Sequence, residues 1–203
     1  MAESRLPDRI QRFVEGDRSE TFDELARAAF AFQYERIEPF RRLCERRGVT
    51  PDGASGWRDL PLVPASAFRT VELAAAPARE VFRSSGTTGE RRGVHHHPYP
   101  ELYEAVIDAT FPDALLTRLG RAPVLSLIPS REQVPDSSLG FLADRVLRRH
   151  AAPGSACAFG GGGVSFGRAR SWLSARQRDG RPGVVLATAF ALDQLLGSLL
   201  RTG

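Results

Sequence analysis

The chain has 203 residues, 42% of them apolar and 26% charged, a globular balance that excludes wholesale disorder and supports a sizeable core. Its formal charge of +4 comes from 28 basic residues against 24 acidic ones. Every basic residue is arginine, so chemistry that requires a lysine, such as a Walker A loop, is excluded.

No apolar run approaches the ~20 residues that span a bilayer. The charged opening MAESRLPDRIQRF lacks the apolar stretch of a signal peptide. Cys44 and Cys157 cannot make a disulfide framework or a four-ligand zinc site by themselves. A cytoplasmic location follows as the expectation. The densest basic cluster is Arg41, Arg42, Arg46 and Arg47. It interleaves with Leu43 and Cys44 and reads as a solvated helix face, so no nucleic-acid partner is expected.

Residues 1–48 read as a helical segment. Thr21 and Glu24 form the T-x-x-E of a capping box. Phe22, Leu25, Ala29, Gln33, Ile37, Phe40 and Cys44 follow at helical spacing. Pro39 must kink or split this helix, and Gly48 ends it. Residues 49–80, rich in proline, glycine and then alanine, read as an irregular connection with short extended pieces. From residue 81 onwards the pattern is α/β. Val81–Arg83 is a short strand, followed by the loop segment 84–94. Pro100 opens a helix towards Gly120, interrupted by Pro112, with Leu102, Val106, Ala109, Leu116 and Leu119 on one side. Val124–Ile128 is an apolar strand, and Asp136 or Ser137 caps a helix with Leu139, Leu142, Val146 and Leu147. Ala156–Phe159 is the next strand, and Ser165 caps a helix with Ala169, Trp172 and Leu173. Val184–Ala187 is the last strand, and Thr188 caps a helix with Leu195, Leu196 and Leu199. Alternating units of this length imply a mostly parallel sheet flanked by helices. The chain ends just after an apolar helix, so the sheet reads as an incomplete part of a larger domain.

The most unusual stretch is Ser84-Ser85-Gly86-Thr87-Thr88-Gly89. Small residues let successive amides face one concavity, and four hydroxyls add donors. Such a loop after a strand suits a polyphosphate. A generic surface turn is the plainer account of the composition, but the order of the residues speaks against it. Ser85-Gly86-Thr87-Thr88-Gly89-Glu90-Arg91-Arg92-Gly93-Val94 resembles the phosphate-loop motif of adenylate-forming enzymes, SGTTGxPKGV. Arg92 stands at the family's lysine and Arg91 at its proline. Tyr34 to Cys44 is similar to a segment of phenylacetate–CoA ligases. Trp57 to Arg69, Ser126 to Ser130, Asp136 to Gly140 and Ala187 to Ala191 are closer to bioluminescence acyl-protein synthetases of LuxE type. The resemblance runs from about residue 20 to 195 and covers only the N-terminal portion of such an enzyme.

The resemblance implies ATP and Mg²⁺ as cofactors and a fatty acid as substrate. The acid would be activated to acyl-AMP and passed to a protein thiol, on an acyl-CoA reductase or another acyl-accepting protein. Ser84, Ser85, Thr87 and Thr88 would donate hydrogen bonds to phosphate. Gly86 and Gly89 would permit the close backbone approach, and Arg92 would neutralise charge. The family's adenine pocket, ribose-binding aspartate and acceptor cysteine come later in sequence, so this chain alone is expected to be inactive, and no catalytic residue is assigned. A phenylacetate–CoA-ligase-like enzyme with free CoA as acceptor is one alternative. A non-catalytic phosphate- or partner-binding half that needs a complementary chain is another.

Other constellations are weaker. Ala158-Phe159-Gly160-Gly161-Gly162-Gly163 invites a dinucleotide fingerprint, but no acidic residue stands ~20 positions on. A tight loop with a left-handed glycine is the better account. His95 and His97 would share a face of a strand, yet no carboxylate or cysteine stands at ligand spacing, so no metal site is expected. One of these histidines near the acyl phosphate is a less specific alternative. No G-x-S-x-G nucleophile elbow occurs.

Overall fold

The computed structural model describes residues 5–85 and 91–201. Gly86, Thr87, Thr88 and Gly89 of the expected phosphate loop lie outside the described residues. The chain divides into two compact units, Met1–Val106 and Ile107–Gly203. Among the described residues no helix is long and apolar enough to cross a membrane.

The first unit begins with three helices, α1 (Leu6–Val14), α2 (Phe22–Arg36) and α3 (Glu38–Arg46). Helix α1 has Pro7 in its first turn, where a missing amide costs nothing. The expected capping box opens α2: the Glu24 amide donates to Thr21 Oγ1 at 3.2 Å and the Thr21 amide to Glu24 Oε2 at 2.7 Å. Pro39 sits in the first turn of α3 and splits the helical segment at Ile37, as its lost donor requires. Gly48 takes a left-handed φ of 67°. This lets the Val49 amide return to the Cys44 carbonyl at 3.0 Å and ends α3. Phe30, Ile37, Phe40, Cys44 and Ala54 form the core of this unit. Residues 49–80 hold three short 3₁₀ turns, Pro51–Gly53, Trp57–Asp59 and Ala65–Arg69, instead of the expected extended pieces. Local bonds drive the tightening: the Gly56 amide donates to Asp59 Oδ2 at 3.0 Å. Strands β1 (Glu80–Arg83) and β2 (Val94–His97) pair antiparallel.

Helix α4 (Pro100–Phe111) carries the division between the units. The second unit continues through a π-helical turn at Pro112–Leu116. Strand β3 (Val124–Ser126) is central to a parallel sheet of order β4–β3–β7, with β4 at Ala156–Cys157 and β7 at Val184–Leu186. Helices α5 (Ser138–Arg149), α6 (Phe166–Asp179) and α7 (Ala189–Leu200) alternate with these strands, the α/β pattern the periodicity gave. Leu125, Leu127, Ala158, Ala169, Trp172, Ala191 and Leu195 make its core. Ser137 caps α5 and Thr188 caps α7 through their side-chain oxygens.

Several details depart from expectation. The strand expected at Ala156–Phe159 breaks at Ala158, and β5 (Phe159–Gly160) turns back antiparallel on β6 (Gly163–Val164). Gly161 and Gly162 both have positive φ, 61° and 84°, which a two-residue hairpin turn of this twist requires. Ser165 stands at the start of α6 without a side-chain capping bond. Leu139 on α5 is exposed while Phe141 and Ala143 are buried. After Pro100, Val106 and Leu119 are exposed, while Ala105, Ile107, Phe111 and, as expected, Leu116 are buried.

Candidate functional site

The loop segment 84–94 joins β1 to β2, so it connects a strand to a following element as expected. The register pairs Arg83 with Val94 and Phe82 with His95, which brings Ser84 and Gly93 together at the neck. The Ser84 amide donates to the Gly93 carbonyl at 2.9 Å. The Gly93 amide donates to Ser84 Oγ at 2.8 Å. The Ser84 amide is therefore closed by the hairpin and is not open to an anion, in contrast to the expectation for a nest. Its hydroxyl accepts a neck bond and keeps its own proton to donate. Ser85 is exposed.

Arg92 lies across this neck. Its Nε–H donates to the Ser84 carbonyl at 2.6 Å, and Nη2 donates to the Arg83 carbonyl at 3.3 Å. Arg83, Arg91 and Arg92, which flank Gly86–Glu90 in sequence, are all exposed. A planar fork can brace a carbonyl through one N–H and still turn others towards an anion. The family resemblance implies a charge-neutralising role for Arg92; its hold on the neck comes from the structure.

Aromatic rings support the hairpin from one face. Phe68, in the Ala65–Arg69 turn, stacks on His95 with ring centroids 4.2 Å apart and planes 22° apart. A Cβ on buried Gly93 would meet Ser84 Oγ at 3.3 Å and Phe68 Cβ at 3.6 Å, so the position favours glycine. Phe82 is buried and contacts His97 at 4.8 Å and Tyr103 at 6.0 Å between centroids. Burial, then the neighbouring His95, pushes the His97 pKa below its ordinary value. His95 and His97 do share a face, but both are packed on rings. Among the described residues no group of three or more His, Cys, Asp or Glu could hold a metal ion.

A second polar cluster, in the second unit, was missed by sequence reasoning. Asp108 takes two bonds from Arg145, Nε to Oδ1 at 3.0 Å and Nη2 to Oδ2 at 2.5 Å. His150 Nε2 lies 2.8 Å from Oδ1. The hydrogen bonds from Arg145 hold the Asp108 carboxyl below its usual range; burial opposes them and His150 assists. Both carboxylate oxygens are occupied by these partners, so the cluster acts as a brace between α4 and α5. Cys44 is fully buried, and Cys157 Sγ lies 3.5 Å from the Ile128 carbonyl.

No protein-family model matches the chain, and no solved structure matches it. A phenylacetate-coenzyme A ligase from Thermus thermophilus is 38% identical over 77 residues, 34% of this chain and 17% of that relative. The chain thus spans a small fraction of the length of the curated relative it matches.

Proposed function

We propose that the chain is part of an ATP-dependent enzyme of the adenylate-forming superfamily, and that segment 84–94 holds the terminal phosphates of ATP. The observation that carries this reading is the order Ser85-Gly86-Thr87-Thr88-Gly89 through Arg92-Gly93-Val94, which lies in sequence between two paired strands and is flanked in sequence by the exposed Arg83, Arg91 and Arg92. The similarity to a phenylacetate-coenzyme A ligase supports the same reading.

The described residues suit a polyphosphate. The Ser84 and Ser85 hydroxyls can donate, and the arginines supply charge. Bound ATP would provide the pyrophosphate leaving group, and Mg²⁺ would share the phosphate charge. Within this frame a carboxylate oxygen of the acid bonds to the α-phosphorus, and the bond to the bridging oxygen of the β-phosphate breaks. A thiolate then bonds to the acyl carbon and AMP departs, leaving a thioester. Arg92 would stabilise charge gathering on the departing pyrophosphate while keeping the neck closed. Ser84 and Gly93 would fix the positions from which the turn presents its donors, along with Ser85, Gly86, Thr87, Thr88 and Gly89.

For the acid and its acceptor, the resemblance of Trp57 to Arg69 and of Asp136 to Gly140 favours a fatty acid passed to a protein thiol. The acceptor would be an acyl-CoA reductase or a similar acyl-accepting protein. The named relative favours a second reading, with coenzyme A as acceptor. The test of the phosphate assignment is Mg·ATP binding to the purified chain with competitors. Pyrophosphate should displace ATP and adenosine should not; displacement by adenosine alone would contradict the assignment. Labelled acid, supplied with ATP to the enzyme containing this segment, separates the acceptors by whether label reaches protein or coenzyme A.

A further inference from the structure

Helix α7 (Ala189–Leu200) keeps Ala191 and Leu195 in the core of the second unit and turns other large apolar side chains outward. Leu192, Leu196 and Leu200 are exposed, Leu200 by 85%. Standing four residues apart, they form one row along the helix. Asp193, Gly197 and Arg201 follow at the same spacing and form the row beside it. Phe190, three residues before Asp193 and 72% exposed, lies on that same flank. Single exposed apolar residues need no explanation, but a contiguous row of them marks a contact surface.

The charges that border the row have opposite signs. Asp193 and Arg201 are both exposed, and among the described residues neither side chain has an ion-pair partner. Eight residues apart, they stand about 12 Å from each other along the axis and cannot close on one another within the helix. Gly197 lies midway. The Arg201 Nη1 is 3.4 Å from the place its Cβ would take, so the guanidinium already lies back along this row.

The pattern is unchanged when the helix is turned end for end about Leu196 and Gly197. Leu192 then meets Leu200, Leu196 meets Leu196, and Asp193 faces Arg201. A second copy laid antiparallel covers the apolar row and answers both charges, twice over, as a two-fold axis requires. The missing side chain at Gly197 lets the two backbones approach at the centre. A partner of uniform charge would attract one of the two charges and repel the other.

We propose that α7 is a self-association surface on which two copies of this chain pair antiparallel about Leu196. The proposal is independent of the reading of the phosphate loop. Few large side chains take part, so the dimer belongs with the weak, reversible interfaces that bury less than about 1,200 Å². The test is sedimentation equilibrium of the full 203-residue chain over a wide range of concentration. Methyl NMR of a sample mixed from labelled and unlabelled chains locates the contact.

The chain should pass reversibly from monomer to dimer, with contacts from Leu192 methyls of one copy to Leu200 methyls of the other. Leu196→Glu sets two carboxylates face to face at the axis and should abolish the dimer, with circular dichroism unchanged. Asp193→Arg or Arg201→Asp alone should weaken association by about tenfold, each turning two rim attractions into repulsions. The two changes together should return it close to wild type. A chain monomeric at every concentration would overturn the proposal, as would a dimer that survives Leu196→Glu in a folded variant. So would a double reversal as weak as the single ones, or a longer chain containing this segment in which the row is covered within one molecule.

Discussion

Arg92 donates its Nε–H to the Ser84 carbonyl at 2.6 Å, across the neck of the hairpin that carries the candidate phosphate loop. The bond gives one side chain two tasks, bracing the backbone and supplying charge. Arg92→Ala should therefore loosen the neck as well as weaken pyrophosphate binding. Hydrogen exchange at the Ser84 and Gly93 amides should accelerate, and binding should fall by about 1–3 kcal/mol, the scale of a charge-assisted donor. Arg92→Lys should recover much of the binding but less of the amide protection, since an ammonium lacks the fork. Arg91→Ala should affect either property less. Amide exchange unchanged in Arg92→Ala would show that the brace is not formed in solution.

Ser84 and Ser85 should separate by variant. Ser84→Ala removes the acceptor of the Gly93 amide and leaves that amide unpaired in a buried position, at a cost of about 1–2 kcal/mol. Ser85→Ala alters an exposed side chain and should change stability by less than about 0.5 kcal/mol. Urea denaturation of the two variants checks this, and equal loss would contradict the geometry.

The acid sensitivity of the fold should appear in two windows. The folded pKa of His97 lies below its ordinary 6.5, burial being the first cause. Between that folded value and 6.5 the unfolded chain binds the extra proton, so stability falls as pH drops through this range and is complete above it. Asp108 has a folded pKa below 3.8, so its contribution is present above 3.8 and is lost as pH falls through the folded value. His97→Phe should remove the upper window and leave the lower one. Thermal melts at a series of pH values decide, and an upper window that survives in His97→Phe would count against the assignment.

Gly183 stands at the start of β7, where an added Cβ would come within 2.5 Å of Trp172 Cη2 and 3.2 Å of the Pro123 carbonyl. Trp172 is fixed by its own bond, Nε1 to the Gly154 carbonyl at 2.7 Å, and cannot easily retreat. Gly183→Ala should destabilise the second unit by about 1–3 kcal/mol through overpacking. A denaturation midpoint unchanged by this variant would mean that the ring moves freely.

The parts of the fold that local chemistry dictates were legible in the sequence. Thr21, Ser137 and Thr188 cap the helices expected of them, and Pro39 and Gly48 interrupt and end the N-terminal helical segment where their backbones demand it. Gly161 and Gly162 make the tight loop that a dinucleotide fingerprint would have misread. Long-range relationships were hidden. Asp108 meets Arg145 and His150 across 37 and 42 residues, and nothing in the spacing signals it. The buried face of α4, with Ala105, Ile107 and Phe111 inside and Val106 outside, is set by packing and not by the local pattern. In the candidate site, the motif pointed to Arg92 as a charge, while its bracing of Ser84 depends on a strand register that no local pattern encodes.

The central claim is that segment 84–94 holds polyphosphate, and its most direct measurement is a titration of the isotope-labelled chain with Mg·pyrophosphate, followed by amide and arginine side-chain NMR. The account predicts saturable shifts at Ser84, Ser85, Arg91, Arg92 and Gly93 that weaken with added salt and are much reduced in Arg92→Ala. Shifts centred elsewhere in the chain, or shifts of the same size and midpoint in Arg92→Ala, would contradict it.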